Sequence, residues 1–153
     1  MRPLRHVAFA QPHQVTLSSI DSRNLFSYPS DYLRFLRYLV EAAQRNACQL
    51  HGFALVGARA HLLMSPRTGS DLSNCIQVTC QRYAFARNRL MNRRGSLFSP
   101  RYLSRGVQLA ELAQARELIE QQPVLAGKAT APQTYRWSSA NPKLSAAFAV
   151  VSG

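Results

Sequence analysis

Seven arginines within residues 82–105 are the side chains of this sequence best suited to bind a charged partner, and no acidic residue lies among them. Guanidinium groups match phosphate oxygens in a two-point geometry, and aromatic rings such as Phe85 and Phe98 can stack on unpaired bases. Uncompensated positive charges repel one another, and a bound polyanion relieves that repulsion. The predicted nucleic-acid-binding residues are Arg82, Arg87, Arg89, Arg93, Arg94, Arg101 and Arg105. The alternative is a solvated basic face, with Tyr83 in the core beneath it.

The charge balance of the whole chain favours the same partner. The 153 residues include 19 basic and 7 acidic side chains, for a formal net charge of +12, and only Lys128 and Lys143 among the basic residues are lysines. Arginine binds phosphate and stacks on bases better than lysine does. The composition therefore favours nucleic acid over a membrane surface as the partner.

The cysteines and the hydropathy pattern indicate the compartment. Cys48, Cys75 and Cys80 are odd in number and form no C-x-x-C pair, so we expect reduced core thiols rather than a zinc site or a disulfide framework. No apolar run reaches the length of a membrane helix, and the N-terminus does not resemble a signal peptide. The sequence thus predicts a cytoplasmic protein with no membrane partner.

The elements that must position these side chains follow a mixed pattern. Apolar residues recur with helical spacing after Pro29-Ser30-Asp31 and again after Ser70-Asp71, and two β-type runs flank Gly57-Ala58. The predicted elements are an extended segment over 6–18, helices over 31–46, from Ser70 and over 109–122, a hairpin over 49–56 and 59–65, and a short strand within 96–108. This order predicts a single α+β domain over residues 1–153, with a ferredoxin-like antiparallel sheet, helices packed on one face and a core at about 12–142.

Five segments, in order, resemble one known family. They are DYLRFLRYL (31–39), HGFALVGARAHLLMSP (51–66), QRYAFARNRLMNRRGSLFSPRYLS (81–104), ELIEQQPVLAG (117–127) and YRWSS (135–139), and QVTL (14–17) is similar to the first strand of the same family. Together they resemble the REP-associated tyrosine transposases, which belong to the single-tyrosine HUH transposase superfamily. The resemblance covers residues 12–142 and implies a transposase-like fold that binds DNA.

The resemblance also implies a chemistry for which this sequence lacks the groups. In the family, a His-x-His pair on a central strand holds a divalent metal, a helix tyrosine attacks the phosphate, and a polar residue one turn later completes the metal shell. At the matching positions stand Arg59 and His61, then Leu118, then Gln122. A cation replaces one ligand and an aliphatic side chain replaces the nucleophile, so the resemblance points to a degenerate active site.

Each of these positions has more than one interpretation. Arg59 either holds a phosphate where the metal sat or has drifted after activity was lost, and Leu118 is most simply core filling. His61 is either a packed histidine or, with Gln122, a metal ligand if a metal is retained. Tyr102, close to the arginines, is the best substitute nucleophile. We expect no cofactor, with Mg²⁺ or Mn²⁺ required only if activity is retained.

Three functions follow from these observations. The first is a catalytically inactive, transposase-like protein that binds single-stranded or hairpin DNA, with RNA as a possible target. The second is an active HUH-type transposase or nickase with a rearranged site. The third is an adaptor that binds an acidic protein. The sequence leaves open whether the chain is a monomer or a homodimer, and whether it is a regulator or a decaying element.

Overall fold

Four strands and five α-helices make up the part of the chain that the structure, a computed structural model, describes: residues 10–148 and 150. In chain order they are β1 (His13–Ser18), α1 (Pro29–Arg45), β2 (Cys48–Val56), β3 (Arg59–Pro66), α2 (Gly69–Met91), β4 (Leu103–Gly106), α3 (Leu112–Glu120), α4 (Gln122–Leu125) and α5 (Pro142–Ala147). Short 3-10 turns lie at Ile20–Ser22, Leu109–Glu111 and Pro132–Thr134. Residues 6–9 of the predicted extended segment lie outside the described residues.

The strands form one antiparallel sheet in the order β2-β3-β1-β4. This is the strand order of a ferredoxin-like fold, so the predicted α+β class and sheet are confirmed. The β2–β3 hairpin turns at Gly57, whose φ of +59° lies in the left-handed region that glycine adopts without strain. β3 lies in the middle of the sheet, where both of its neighbours fix its register.

The two long helices pack on one face of the sheet, which we call the helical face. Phe35 and Leu39 of α1 and Tyr83 of α2 are fully buried there against alternate residues of the sheet such as Leu62. α1 begins two residues earlier than predicted because the Asp31 carboxylate accepts hydrogen bonds from the backbone N–H groups of Ser27 and Tyr28. The apolar stripe that predicted this helix is its core face.

The third helix departs from the expectation that all helices share one face. α3 buries Leu112, Ala115 and Ile119 against Ala54 and Leu63, which point away from the helical face. β2 and β3 are buried at nearly every position, as strands covered on both sides are, and α3 supplies the second cover. We call this side of the sheet the α3 face.

The segment 135–139 covers the outer edge of β2. The Leu55 N–H donates to the Trp137 carbonyl and the Ser139 N–H donates to the Phe53 carbonyl, both at 2.9 Å. The Trp137 ring stacks on Tyr32 of α1, with centroids 4.3 Å apart. The Tyr-x-Trp-Ser-Ser segment therefore protects a sheet edge and anchors it to the helical layer.

Candidate nucleic-acid interface

Arg59 and His61 are neighbours on the α3 face of β3. Side chains alternate along a strand, so these two residues point the same way, and the antiparallel register sets Ser18 opposite Arg59 and Thr16 opposite His61. Arg59 is exposed, whereas His61 is only 8% exposed. The Arg59 guanidinium group is therefore in solvent at the margin of the α3 face, and the hydroxyl-bearing Ser18 and Thr16 lie on the neighbouring strand β1.

Burial and charge keep the His61 ring neutral. Burial, with a smaller contribution from the nearby Arg59 charge, lowers the pKa of His61 from its ordinary value of 6.5 to about 4. A neutral imidazole is the form that could ligate a metal. The same Arg59 guanidinium would, however, repel a divalent cation at this position.

The remaining donors do not complete a metal site. Gln122 begins α4, beyond the break that follows α3, and its exposed side-chain amide donates to the Leu118 carbonyl at 3.2 Å. Among the residues that the structure describes, no three His, Cys, Asp or Glu side chains gather where they could hold a metal ion. One buried imidazole beside an arginine does not match the donor sets that divalent metals use in catalytic sites.

Leu118, which the sequence resemblance matches to the family's nucleophile, is solvent-exposed. Leu118 is 51% exposed, so the interpretation of this residue as core filling is wrong, and its neighbour Ile119 fills the core instead. Helical geometry causes the difference, because successive helix residues are about 100° apart and Leu118 therefore points away from the direction of the buried Ile119. Leu118 lines a cavity of about 180 Å³ together with Arg105, Val107 and Glu111.

Tyr102 does not lie near His61. It is half-buried against the core of the helical face and lines a cavity of about 580 Å³ with Ile76 and Cys80 of α2. Leu103, the next residue, pairs with Thr16, and strand alternation turns its neighbours to the opposite side. The sheet therefore separates Tyr102 from His61, and the structure does not support it as a substitute nucleophile.

Two of the seven predicted arginines form ion pairs with carboxylates of the protein. Arg87 is 6% exposed, and its guanidinium contacts the buried Asp31 carboxylate at 2.7 Å and the Ser27 hydroxyl at 2.9 Å. Arg82 contacts Glu41 at 2.8 Å and lies 4.1 Å from the centroid of the Tyr38 ring. Both side chains join α2 to α1 or to the loop before it.

Three others gather at the C-terminal end of α2. We define the α2-end patch as Phe85, Arg89, Arg93 and Arg94, all exposed and all lining one cavity of about 530 Å³. The helix stops at Asn92, whose φ of 52° is left-handed. The chain then continues through Gly95, at φ +91°.

The last two arginines lie on or next to β4. Arg105 is exposed on the α3 face and donates to the Gln14 side-chain oxygen at 2.8 Å. Arg101 is exposed two residues before the strand begins. The uncovered part of the α3 face, over β1 and β4, therefore combines polar and basic side chains with the exposed Leu103. Sequence patterns identified these arginines but not the half-buried Thr16 and Ser18, which only the strand register sets opposite His61 and Arg59.

A polar network that the sequence did not predict holds α3 in place. The Arg116 guanidinium donates to Glu120 at 2.7 Å and to the Ser139 carbonyl at 3.0 Å, and the Ser139 hydroxyl also bonds Glu120. The Phe53 N–H of β2 donates to the Ser139 hydroxyl at 3.0 Å. The i, i+4 spacing of Arg116 and Glu120 is the only local signal for it.

The fold is a transposase-like α+β fold. Among solved structures, the chain is similar to a REP-associated tyrosine transposase bound to a REP hairpin, with a TM-score of 0.75 and 11% sequence identity over 100% of this chain and 92% of that one. It is also similar to a protein of Deinococcus radiodurans provisionally assigned as a transposase, with a TM-score of 0.51 and 20% identity over 80% of this chain and 97% of that one. The resemblance seen in the sequence is thus confirmed at the level of the fold.

The sequence comparisons found no match. No family model and no curated protein matches the chain. Within residues 10–148 and 150, none of the helices is both long enough and apolar enough to cross a bilayer.

Proposed function

We propose that this protein binds structured or single-stranded nucleic acid, such as a DNA hairpin, and does not cut it. The REP-associated tyrosine transposase that this chain resembles in structure is bound to a REP hairpin. This chain combines a similar fold with a formal net charge of +12. Electrostatic attraction to phosphates supplies most of the affinity of such proteins.

The observation that carries the proposal is the exposed Arg59 beside the buried His61. An arginine at this position offers a phosphate up to two parallel N–H donors, and Ser18 lies on the neighbouring strand at the same level. The same guanidinium disfavours a divalent cation, and the aliphatic Leu118 has no nucleophilic atom. Both substitutions favour holding a phosphodiester over breaking it.

Binding to a labelled DNA hairpin, followed by fluorescence anisotropy at moderate salt, tests the first half of the proposal. We expect Arg59→Glu to weaken binding by about tenfold or more, because it replaces a charge-assisted hydrogen bond by repulsion. Arg45→Glu is the matched control. Arg45 is exposed at the C-terminal end of α1, which lies near Arg67. Arg67 directly follows β3, so Arg45 lies at the end of β3 opposite to Arg59. Equal losses for the two variants, or no binding by the wild type, would contradict the proposal.

The second half is tested with the same hairpin and Mg²⁺ or Mn²⁺. We expect neither a nicked strand nor a covalent protein–DNA adduct on a denaturing gel. An adduct that persists in the wild type and disappears in a tyrosine-to-phenylalanine variant would identify an active transposase with a rearranged site.

A further inference from the structure

The α2-end patch presents an aromatic ring to solvent. Phe85 is 67% exposed, whereas every other described aromatic side chain except Tyr28 is buried or half-buried, and it lies on the outer side of a helix whose inner side carries the buried Tyr83. The Arg89 guanidinium lies one turn further along, 5.7 Å from the centroid of the Phe85 ring. Exposing this apolar ring costs solvation free energy unless a partner covers it.

Positive charge surrounds the ring, and no carboxylate is close to it in the sequence. Arg89, Arg93 and Arg94 line the same cavity as Phe85, and the stretch between Asp71 and Glu111 contains no acidic residue. The cavity volume of about 530 Å³ is within the range of small-ligand sites. A ligand that fits must therefore offer both a flat apolar surface and negative charge.

Hydrogen bonds hold the patch in a defined shape. The Arg93 N–H donates to the Asn88 carbonyl at 2.8 Å, and the Asn88 side-chain amide donates to the Gly95 carbonyl at 2.9 Å. The left-handed Asn92 turns the chain back over the helix end. Ordering this loop in advance lowers the entropy cost of binding.

We propose that the α2-end patch binds an unpaired nucleotide, with its base stacked on Phe85 and its phosphates held by Arg89, Arg93 and Arg94. Base stacking on aromatic rings and arginine contacts to phosphate are the two interactions that single-strand sites combine. The inference rests on the proposed function and adds a second contact point, separate from the α3 face.

The chain path sets this patch at the Arg59 end of the sheet. The segment that leaves α2 returns to β1, where the Ile20 N–H donates to the Leu97 carbonyl at 2.8 Å and the Ser99 N–H to the Ser18 carbonyl at 2.9 Å. Ser18 pairs with Arg59. The ligand we assign to the patch is therefore a single-stranded segment continuous with the nucleic acid bound at Arg59, such as the unpaired flank of a hairpin.

The test compares two labelled DNAs, a blunt hairpin and the same hairpin with a short unpaired flank, for wild type and Phe85→Ala. We expect wild type to bind the flanked hairpin more tightly, and Phe85→Ala to lose about tenfold on the flanked DNA while its affinity for the blunt hairpin is unchanged. Leu90→Ala, which truncates an apolar residue of similar exposure on the same helix, is the control and should retain the preference. Phe85→Trp should also retain it, with its added indole fluorescence quenched on binding.

The other outcomes distinguish failure of the α2-end patch proposal from failure of the proposed hairpin-binding function. Equal binding of the flanked hairpin by wild type and Phe85→Ala overturns the stacking site but leaves hairpin binding intact. Equal loss on both DNAs overturns the assignment to an unpaired nucleotide. Absence of binding by the wild type to either DNA overturns the proposed function, and the inference with it.

Discussion

At the residue scale, one arginine and one histidine determine the chemistry of the α3 face. Arg59 is exposed at the start of β3, and His61 is buried two residues later on the same side. Burial is the larger cause of the lowered pKa of His61, and the Arg59 charge is the smaller one. The site therefore combines a permanent cation with an imidazole that stays uncharged above about pH 4.

This pKa shift predicts a stability change in acid. The folded His61 has a pKa of about 4 and the unfolded chain one near 6.5, so between these values the unfolded state binds more protons. Stability should fall as the pH falls from 6.5 towards 4, by up to about 3 kcal/mol in all, and His61 should contribute no pH dependence above that window. Urea unfolding of wild type and His61→Gln at several pH values measures it, with the variant showing the shallower dependence.

NMR titration of the His61 ring separates the two causes. Arg59→Gln removes the smaller cause, so the pKa of His61 should rise but remain below 6.5. An ordinary His61 pKa in the wild type would contradict both the burial and the stability prediction.

At the element scale, α2 carries arginines with opposite roles on its two sides. Arg87 faces inward and joins α2 to the start of α1 through Asp31, while Arg89 faces outward into the α2-end patch. Asp31 also caps α1, so one carboxylate organises the ends of two helices. A helix with such a buried pair is held in register against its neighbour.

Removing the inward arginine should therefore act on stability. Arg87→Met removes the closer of the two guanidinium groups that contact the buried Asp31 carboxylate and leaves only Arg34, at 3.5 Å, so we expect a loss of about 3 kcal/mol in the free energy of unfolding. Arg82→Met, five residues earlier on the same helix, removes an exposed pair with Glu41 and should have a much smaller effect. Denaturant midpoints for both variants provide the measurement, and similar midpoints would show that burial does not distinguish the two pairs.

At the scale of the whole molecule, the net charge is less informative than its location. Of the 19 basic residues, several are paired with acidic side chains, including Arg67, Arg82, Arg87 and Arg116. Most of the exposed arginines left over lie at the α2-end patch, at the start of β3 and on or next to β4, and Arg37, Arg45 and Arg136 are exposed elsewhere. The affinity for nucleic acid should therefore depend on which arginines are removed rather than on the net charge of the protein alone.

The salt dependence of hairpin binding tests whether the location of the arginines matters more than the net charge. Each phosphate contact contributes about −0.9 to the slope of log K against log salt on duplex and about −0.7 on single strands. On the flanked hairpin, Arg93→Gln with Arg94→Gln removes two such contacts and should reduce the magnitude of the slope by roughly 1.4 to 1.8. Arg37→Gln with Arg45→Gln removes the same formal charge from exposed positions of α1 and should leave the slope nearly unchanged. Equal slopes for both double variants would indicate a diffuse electrostatic attraction.

Local patterns in the sequence determined the elements and their order. The apolar stripe after Pro29 predicted α1, and Gly57 between two β-type runs predicted the β2–β3 hairpin, because helix and strand periodicity and turn geometry are properties of neighbouring residues. The excess of arginine, with no acid between Asp71 and Glu111, is equally a local property.

Only the tertiary structure decided which side chains meet. The sequence alone does not distinguish Arg87 from Arg89, because both lie in the same basic stretch. In the structure Arg87 pairs with Asp31, which is 56 residues away. The face that α3 covers, the side of the sheet on which Tyr102 lies and the exposure of Leu118 likewise depend on packing between distant segments. Charge pairing and burial are set by proximity in space, so they become readable only once the sheet and helices are assembled.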